Sequence, residues 1–387
     1  MKTKIIKKLS LLIVLTFLFG ACNTKTKKEN NLSVEPEKEL TEYFNMFPYQ
    51  ETYKYSQIYT LGDAKNLNKI SPLNKAVLVS AGSDKVVRMN NDTFYGGGII
   101  YLSEGPVKIS SSEYDNNRFY SFQIMDDRNV NFHNLINPNG DYYLYYGEKP
   151  ENIEGNLIES PSLLVGLIVR VEVKDKNDVE DVRQAQKVYE GISFDGPEIE
   201  KFPEVNVLNG FSDDVVKKAN EMMDSVFKNE PFFKLVPSPE QIPNEVSYLQ
   251  LAASTKEAWG APVSSHSTYQ MMHHDVDGEV LNGNNGTYTL TTEEPDVDAF
   301  WSVTVYDTDR GGFLHPNKQD KYHINNTDVV RNEDGTITFY FKTEVSNNEV
   351  NTLEVPNGNF DLTIRYYLPS KPLQTEEWKM PNPELIK

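Results

Sequence analysis

The sequence predicts a mainly β protein of two β-sandwich domains joined by a helical connector, and three observations carry that reading. The first is an internal echo: Asn117-Arg118-Phe119-Tyr120-Ser121-Phe122-Gln123-Ile124-Met125-Asp126 returns in the second half as Asp298-Ala299-Phe300-Trp301-Ser302-Val303-Thr304-Val305-Tyr306-Asp307. Each copy runs through two aromatics, a serine, a β-branched or aromatic stretch and an aspartate. Each is followed by a polar turn and then by Phe132-His133-Asn134 or Phe313-Leu314-His315-Pro316-Asn317. Such a run suits a buried pleated strand closed by a turn-forming aspartate. The second is composition, since aromatics make up 11% of the residues and many of the 22 Tyr stand in alternating runs that fit sheet faces. The third is length: 387 residues exceed one comfortable core and suit two domains of roughly 150 residues each.

The first residues read as an export signal. Lys2, Lys4, Lys7 and Lys8 precede an apolar run from Leu9 to Phe19, too short for a comfortable membrane-spanning helix but right for the core of a signal peptide. The run ends in Phe19-Gly20-Ala21-Cys22, which is similar to the bacterial lipobox, where small residues fit the peptidase and the cysteine sulfur receives diacylglycerol. Residues 1–21 are thus expected to be removed and Cys22 to be lipidated, making the membrane a partner through that lipid. Asn23, not aspartate, follows the cysteine, and resemblance to known sorting rules points such a lipoprotein to the outer membrane of the cell envelope. Cys22 is the only cysteine, so the mature chain has no internal disulfide and, if Cys22 is lipidated, no thiol catalyst. A formal charge of -19 argues against nucleic acid as a partner, because counterion release needs clustered Lys and Arg.

Composition from Cys22 to residue 45 reads as a tether too polar to supply a core, with a short helix from Glu37 to Met46 at its end. The first domain, residues 46–195, reads as strands at Ala76–Val79, Gly97–Leu102, Val107–Ile109, the first aromatic segment, Tyr142–Tyr146 and Leu163–Val173. Gly105-Pro106 and Pro138-Asn139-Gly140-Asp141 mark its turns. A helix then opens at Asn177 as N-cap, with Glu180 three residues on, and stops at Gly191. The connector, residues 196–258, carries a helix capped by Ser212 whose stripe includes Met222 and Met223, and a further helix at about Glu245–Glu257. A methionine pair at that spacing belongs to a core. The second domain, residues 259–387, repeats the β grammar with strands at Ser267–Asp275, Thr287–Thr291, Phe300–Tyr306, Thr336–Phe341 and Phe360–Tyr367.

Signatures of familiar chemistry are missing: there is no His-Glu-x-x-His, no phosphate loop, and Gly191-Ile192-Ser193-Phe194-Asp195 fails the nucleophile elbow at its last position. Gly96-Gly97-Gly98 is flanked by strand residues and reads as a bulge or a close backbone approach. His273-His274-Asp275-Val276-Asp277-Gly278-Glu279 is rich in ligand types, yet adjacent strand histidines point to opposite faces, so it reads as a turn and no metal or cofactor is expected. The best candidate cleft residues are Asn91, Asp92, Thr93 and Tyr95, an amide, a carboxylate, a hydroxyl and a phenol grouped before a strand. Arg118, Asp126, Trp301, Asp307 and Arg365 join them.

The combined pattern resembles two bacterial families. Asn91-Asp92-Thr93-x-Tyr95, Gly105-Pro106, Arg118-x-Tyr120 and Ser160-Pro161-Ser162 before an apolar strand look like the domain of unknown function 1254. Tyr269, Asp275-x-Asp277-Gly278, Phe300-Trp301-Ser302-x-Thr304-x-Tyr306-Asp307, Asn332-x-Asp334-Gly335 and Arg365-x-Tyr367 resemble its usual partner, domain of unknown function 1214. The resemblance implies an immunoglobulin-like first sandwich and a jelly-roll-like second, and no established activity. One departure is plain: where members carry Asn-Trp-Leu-Pro, this chain has Thr352-Leu353-Glu354-Val355-Pro356. The expected function is an envelope lipoprotein that binds a carbohydrate or other small polar ligand between its sandwiches. Two alternatives stand beside it: a glycosidase-like hydrolase using Asp92 with a second carboxylate or a tyrosine, and a structural envelope protein.

Overall fold

Apolar residues recur at every second position through most of the β segments, and that period decides which face of each sheet becomes core. The structure is a computed structural model that describes residues 38–386 apart from 84–86, 206, 230–235, 239–240, 242–246 and 347–348. The signal peptide, Cys22 and most of the tether lie outside the described residues. Helix α1 (Lys38–Tyr59) comes first, then β1 (Thr93–Tyr101), β2 (Val107–Ser111), β3 (Tyr120–Met125), β4 (Asn131–Ile136), β5 (Gly140–Tyr146), β6 (Asn156–Ser160) and β7 (Leu164–Glu172). Helix α2 (Val179–Glu190), strand β8 (Ile192–Asp195) and helices α3 (Asp213–Asn229) and α4 (Tyr248–Ala258) follow. The second half holds β9 (Ser267–Met272), β10 (Thr287–Thr292), β11 (Trp301–Asp307), β12 (Phe313–Leu314), β13 (His323–Asn325), β14 (Ile337–Lys342), β15 (Thr352–Glu354), β16 (Phe360–Tyr367), the short α5 (Lys371–Gln374) and β17 (Glu384–Ile386).

In the first half the sheets β1-β7-β3-β4 and β6-β5-β2-β8 enclose one core that includes Phe94, Ile109, Phe122, Leu144 and Val169. In the second half β12-β11-β16-β9, with β13 also on β11, and β15-β14-β10-β17 enclose Leu290, Trp301, Phe339, Phe341 and Ile364. The two echoed segments therefore lie in separate sheets, each beside a long fully buried strand: β3 pairs β7, and β11 pairs β16.

Helices α1, α3 and α4 form a third cluster around Tyr43, Phe44, Phe47, Met223 and Ala252, which confirms the methionine as core. The expected short helix at Glu37–Met46 in fact runs on to Tyr59 through Pro48, because its later turns keep burying residues such as Phe47 and Thr52. Among the described residues no helix is long and apolar enough to cross a membrane.

Two local expectations are corrected. Ala76–Val79 forms no strand; Ala76 and Leu78 pack against the first core and the Asn91 amide donates to the Val79 carbonyl, so side chains take the place of a ladder. The cap of α2 is Asp178, whose carboxylate accepts from the Glu180 N–H at 2.9 Å, because Asn177 is drawn into a turn by the carboxylate of Asp175 two residues earlier.

The triple glycine proves to be a close backbone approach within an unbroken β1–β7 register. Gly97 has φ of +134°, and a Cβ there would lie 1.9 Å from the Leu167 carbonyl oxygen. Gly97→Ala should accordingly destabilise the chain by roughly 3 kcal/mol, through strain and a broken ladder. Urea unfolding of the two proteins checks this, and an unchanged midpoint would refute it.

Candidate functional site: a polar seam between two sheets

Strand parity produces a polar surface on each domain. In β7, Val165, Leu167, Val169 and Val171 enter the first core, so Ile168, Arg170 and Glu172 face the other way. In β16, Leu362, Ile364 and Tyr366 enter the second core, leaving Asp361, Thr363, Arg365 and Tyr367 on the opposite face. All of these outward residues except Ile168 carry a polar group, and all are buried. What covers these outward faces is the other domain: Phe119 of the first packs on Phe300 and Tyr367 of the second at ring separations of 5.8 and 5.5 Å.

Register aligns the two faces residue by residue. Across β1-β7-β3, Tyr95, Arg170 and Ser121 lie in one row; across β9-β16-β11, so do Tyr269, Arg365 and Ser302. The Arg170 guanidinium sits 5.1 Å from the Tyr95 ring centre, and that of Arg365 sits 5.8 Å from the Tyr269 ring. The first domain's row is reinforced by Gln123, whose oxygen accepts from Arg170 at 2.7 Å; in the second, Thr304 accepts from Arg365 at 3.1 Å.

The segment leading into each first strand crosses to the other sheet. From the first domain, the carbonyls of Arg88 and Met89 accept from Arg365 and from the Tyr306 hydroxyl at 2.8 and 2.7 Å. Asp92, fully buried, accepts from the Ser302 hydroxyl and from the Tyr367 hydroxyl, the latter at 3.3 Å. The Asn90 oxygen accepts the backbone N–H groups of Asp92 and Thr93, which fixes the loop that delivers the carboxylate. His323 Nδ1 lies 3.2 Å from the Asn91 oxygen, and burial lowers its pKa to about 4 against the opposing pull of Asp92. From the second domain, the carbonyls of Gly260 and Ala261 accept from the Gln123 amide, each at 3.0 Å. His266 follows, its ring against Phe119.

Several polar atoms inside this seam have no protein partner among the described residues: both ring nitrogens of His266 and the hydroxyls of Thr93, Ser121 and Thr363. Buried polar atoms are ordinarily satisfied, so their clustering singles out the seam as the place where a water or a polar ligand would complete them. Tyr95 and Met271, on these same two faces, are 36% and 38% exposed. Glu172, on the same face as Arg170, accepts from the Phe119 N–H at 2.9 Å, and burial pushes its carboxyl up to about 7. It also lines a cavity of about 220 Å³ at the domain junction, together with Arg118, Phe119, Lys174 and Asn326.

Of the residues singled out in the sequence, Asn91, Asp92, Thr93, Tyr95 and Arg365 come together in this seam. Arg118 stands at its edge, donating to Asp115, Asp181 and the Glu172 carbonyl. Trp301, Asp126 and Asp307 do not belong. Trp301 alternates with Ser302 and so enters the second core. Asp126 accepts from the Arg128 and Val130 N–H groups, and Asp307 from that of Arg310, so both carboxylates close turns at strand ends. Sequence reasoning missed Arg170, Tyr269 as part of a row, His266 and Thr363. The available signal was the matched spacing of Arg170-Val171-Glu172 and Arg365-Tyr366-Tyr367, each a register partner of an echoed serine. The His273–Glu279 stretch is a turn as expected, with Asp275 accepting from the Asp277 and Glu279 N–H groups. No cluster able to hold a metal is found among the described residues.

Two family models match successive stretches of the chain. Residues 68–191 match the family described as protein of unknown function (DUF1254), and residues 266–371 match protein of unknown function (DUF1214). No curated protein matches the chain. Among solved structures, the VPA0106 protein from Vibrio parahaemolyticus is similar at a TM-score of 0.74 and 18% identity, covering 90% of this chain and 99% of that one, a likeness of fold. A putative uncharacterized protein from Burkholderia cenocepacia gives a TM-score of 0.46 at 9% identity, covering 90% of this chain and 95% of that one.

The buried titratable groups set opposite pH slopes. Glu172, raised from 4.5 to about 7, contributes stability that is complete below about 4.5 and is lost as pH climbs through 7. His323 and His266, lowered from 6.5 to about 4 and about 3, contribute stability that is complete above 6.5 and is lost on acidification. Glu172→Gln should therefore gain on wild type between pH 5 and pH 8 by up to on the order of 3 kcal/mol. Urea denaturation at both pH values measures this; a pH-independent difference would contradict it.

Proposed function

From a chain that joins a DUF1254 domain to a DUF1214 domain, both of unknown function, we propose a binding protein whose seam between the two β domains takes a small polar ligand, a carbohydrate being the leading class. The observation that supports this most is the group of buried polar atoms without partners among the described residues on Thr93, Ser121, His266 and Thr363, on the outward faces of two sheets beside aromatic rings. Hydroxyl-bearing ligands combine hydrogen bonding with apolar ring faces, which matches a wall of Tyr95, Tyr269 and Met271. The domains themselves we take as immunoglobulin-like and jelly-roll-like, on the strength of family resemblance and the paired antiparallel sheets. A topology comparison with solved members of those classes that matched neither would remove that assignment.

The hydrolase reading built on Asp92 is not favoured. Its carboxylate is fully buried and is held by the Ser302 and Tyr367 hydroxyls beside the Arg365 cation, so it has no solvent access through which a water or substrate proton would reach it. The apolar contact of Phe119, Phe300 and Tyr367 is small beside the polar seam, which also weighs against a purely structural junction.

Thermal shift with a panel of neutral and acidic mono- and disaccharides tests the binding site. At least one should raise the Tm of wild type and lose most of its effect in Thr363→Val, which replaces an unpartnered hydroxyl by a methyl of the same shape. A panel without any shift would count against the seam as a binding site.

Envelope anchoring through Cys22 remains part of the proposal, supported by the lipobox-like Phe19-Gly20-Ala21-Cys22. Expression with a radiolabelled fatty acid in a bacterium should label wild type in the outer-membrane fraction and leave Cys22→Ala unlabelled. Equal labelling of both, or of neither, would sink the lipoprotein reading.

A further inference from the structure

Resting on the seam as the binding site, the reciprocal register of the two sheets says which chemical group its occupant carries. Asp92 and His266 hold equivalent positions, one residue before the rows that pair Thr93 with Glu172 and Ser267 with Tyr367. The Asp92 carbonyl accepts the Val173 N–H at 3.0 Å, and the His266 carbonyl accepts the Leu368 N–H at 3.0 Å. Likewise the Phe119 carbonyl accepts from Glu172 and the Phe300 carbonyl from Tyr367, both at 2.9 Å. Each half of the seam thus consists of an arginine, a row serine and a residue crossing from the opposite domain.

One half is complete. Arg365, Ser302 and the crossing Asp92 bring a cation, a hydroxyl donor and a carboxylate together, with the hydroxyl donating to the carboxylate. The other half lacks its anion. Arg170 is 2% exposed, its described partners are the Tyr95 hydroxyl and the Gln123 oxygen, and it joins no ion pair among the described residues. Its crossing residue is His266, held neutral by burial and by the neighbouring Arg170 charge. Burial also keeps the hydroxyls of Tyr269 and Tyr367 protonated, so they supply no compensating charge. Glu172, two residues along the strand, turns to the Phe119 N–H instead. Ser121, the counterpart of Ser302, is fully buried with a hydroxyl that has no partner among the described residues. A buried cation without a counter-ion is costly, and it is retained where an anion completes it.

We propose that the ligand is a small organic acid whose carboxylate takes, in the first-domain half, the place that the Asp92 side chain takes in the other. There it accepts from the Ser121 hydroxyl and the Arg170 guanidinium, with a His266 ring N–H as a further donor. Tyr95 and Tyr269 flank the remainder of the molecule. Sugar acids and short hydroxy acids both meet this description.

Matched acid and neutral pairs decide the matter: galacturonate with galactose, glucuronate with glucose, and acetate with acetamide as the smallest probe, titrated calorimetrically into the purified full chain. The acid of at least one pair should bind about tenfold or more tightly than its neutral partner. That preference should collapse in Arg170→Gln and fall severalfold in Ser121→Ala. Equal affinity within every pair would overturn the carboxylate assignment while leaving the seam as a site for neutral ligands. Absence of binding by every probe, acid and neutral, would remove both readings. A preference that survives in both variants would place the carboxylate elsewhere and also overturn the proposal. Should Arg170→Gln fail to fold, Ser121→Ala decides alone, since it deletes only an unpartnered hydroxyl.

Discussion

The carboxylate of Asp92 is the constraint on which the arrangement of the two domains depends. It belongs to the first domain, yet its hydrogen-bond donors, the Ser302 and Tyr367 hydroxyls, belong to the second, as does the Arg365 cation it offsets. A carboxylate and a guanidinium removed from water each cost several kcal/mol, and only a full set of partners compensates. Here the set is nearly full: Arg365 also donates to Thr304, Tyr306 and the Arg88 carbonyl. Breaking any member strands a buried charge, so the loop from Arg88 to Asp92 has essentially one place to sit. That loop opens directly into β1, and through it the register of one sheet is tied to the register of the other.

Much of this was legible in the sequence, and the rest was hidden for physical reasons. The echoed aromatic-serine segments announced two related central strands because strand period and turn chemistry are local properties. The Asn91–Tyr95 stretch and Arg365 were recognisable as polar groups in places where a core would refuse them. Trp301 stands next to the seam residue Ser302 in the echoed segment, but alternation assigns it to the same face as Val303 and Val305. Arg170 went unnoticed for a related reason: it lies in a run of aliphatic residues that reads as buried on both faces. It is indeed buried on both, but one of those faces is a polar junction with a domain almost a hundred residues further on. His266 has no motif around it at all, and only tertiary structure sets it beside Phe119. Ala76–Val79 failed as a strand because propensity cannot tell a ladder partner from a side-chain amide such as that of Asn91.

The same parity argument explains why each domain depends on the other. A sheet whose outer face carries Arg170, Glu172, Ser121 and Gln123 alongside Tyr95 and Met125 is neither a good solvent face nor a good core. Water would satisfy the polar groups but expose the rings, and an apolar cover would do the reverse. The opposing face of Ser267, Tyr269, Thr363 and Arg365 has an identical mixture, and each supplies aromatic contact where the other is apolar and hydrogen bonds where the other is polar. The two families of unknown function found in this chain thus meet across surfaces that make physical sense only together.

That mutual dependence also locates where chemistry can be altered without cost to the fold. The apolar centre of Phe119, Phe300 and Tyr367 and the saturated Asp92 network hold the domains in register. In the half around Arg170 only Gln123 is tied across the seam, to the Gly260 and Ala261 carbonyls, while the side chains of Ser121 and His266 have no hydrogen-bond partner among the described residues. A buried cation without a counter-ion and buried polar side chains without partners carry a desolvation cost that a bound polar group would offset. The asymmetry between a completed half and an incomplete one, built on equivalent strands, is therefore the strongest physical reason to look for function at the seam and on the first-domain side of it.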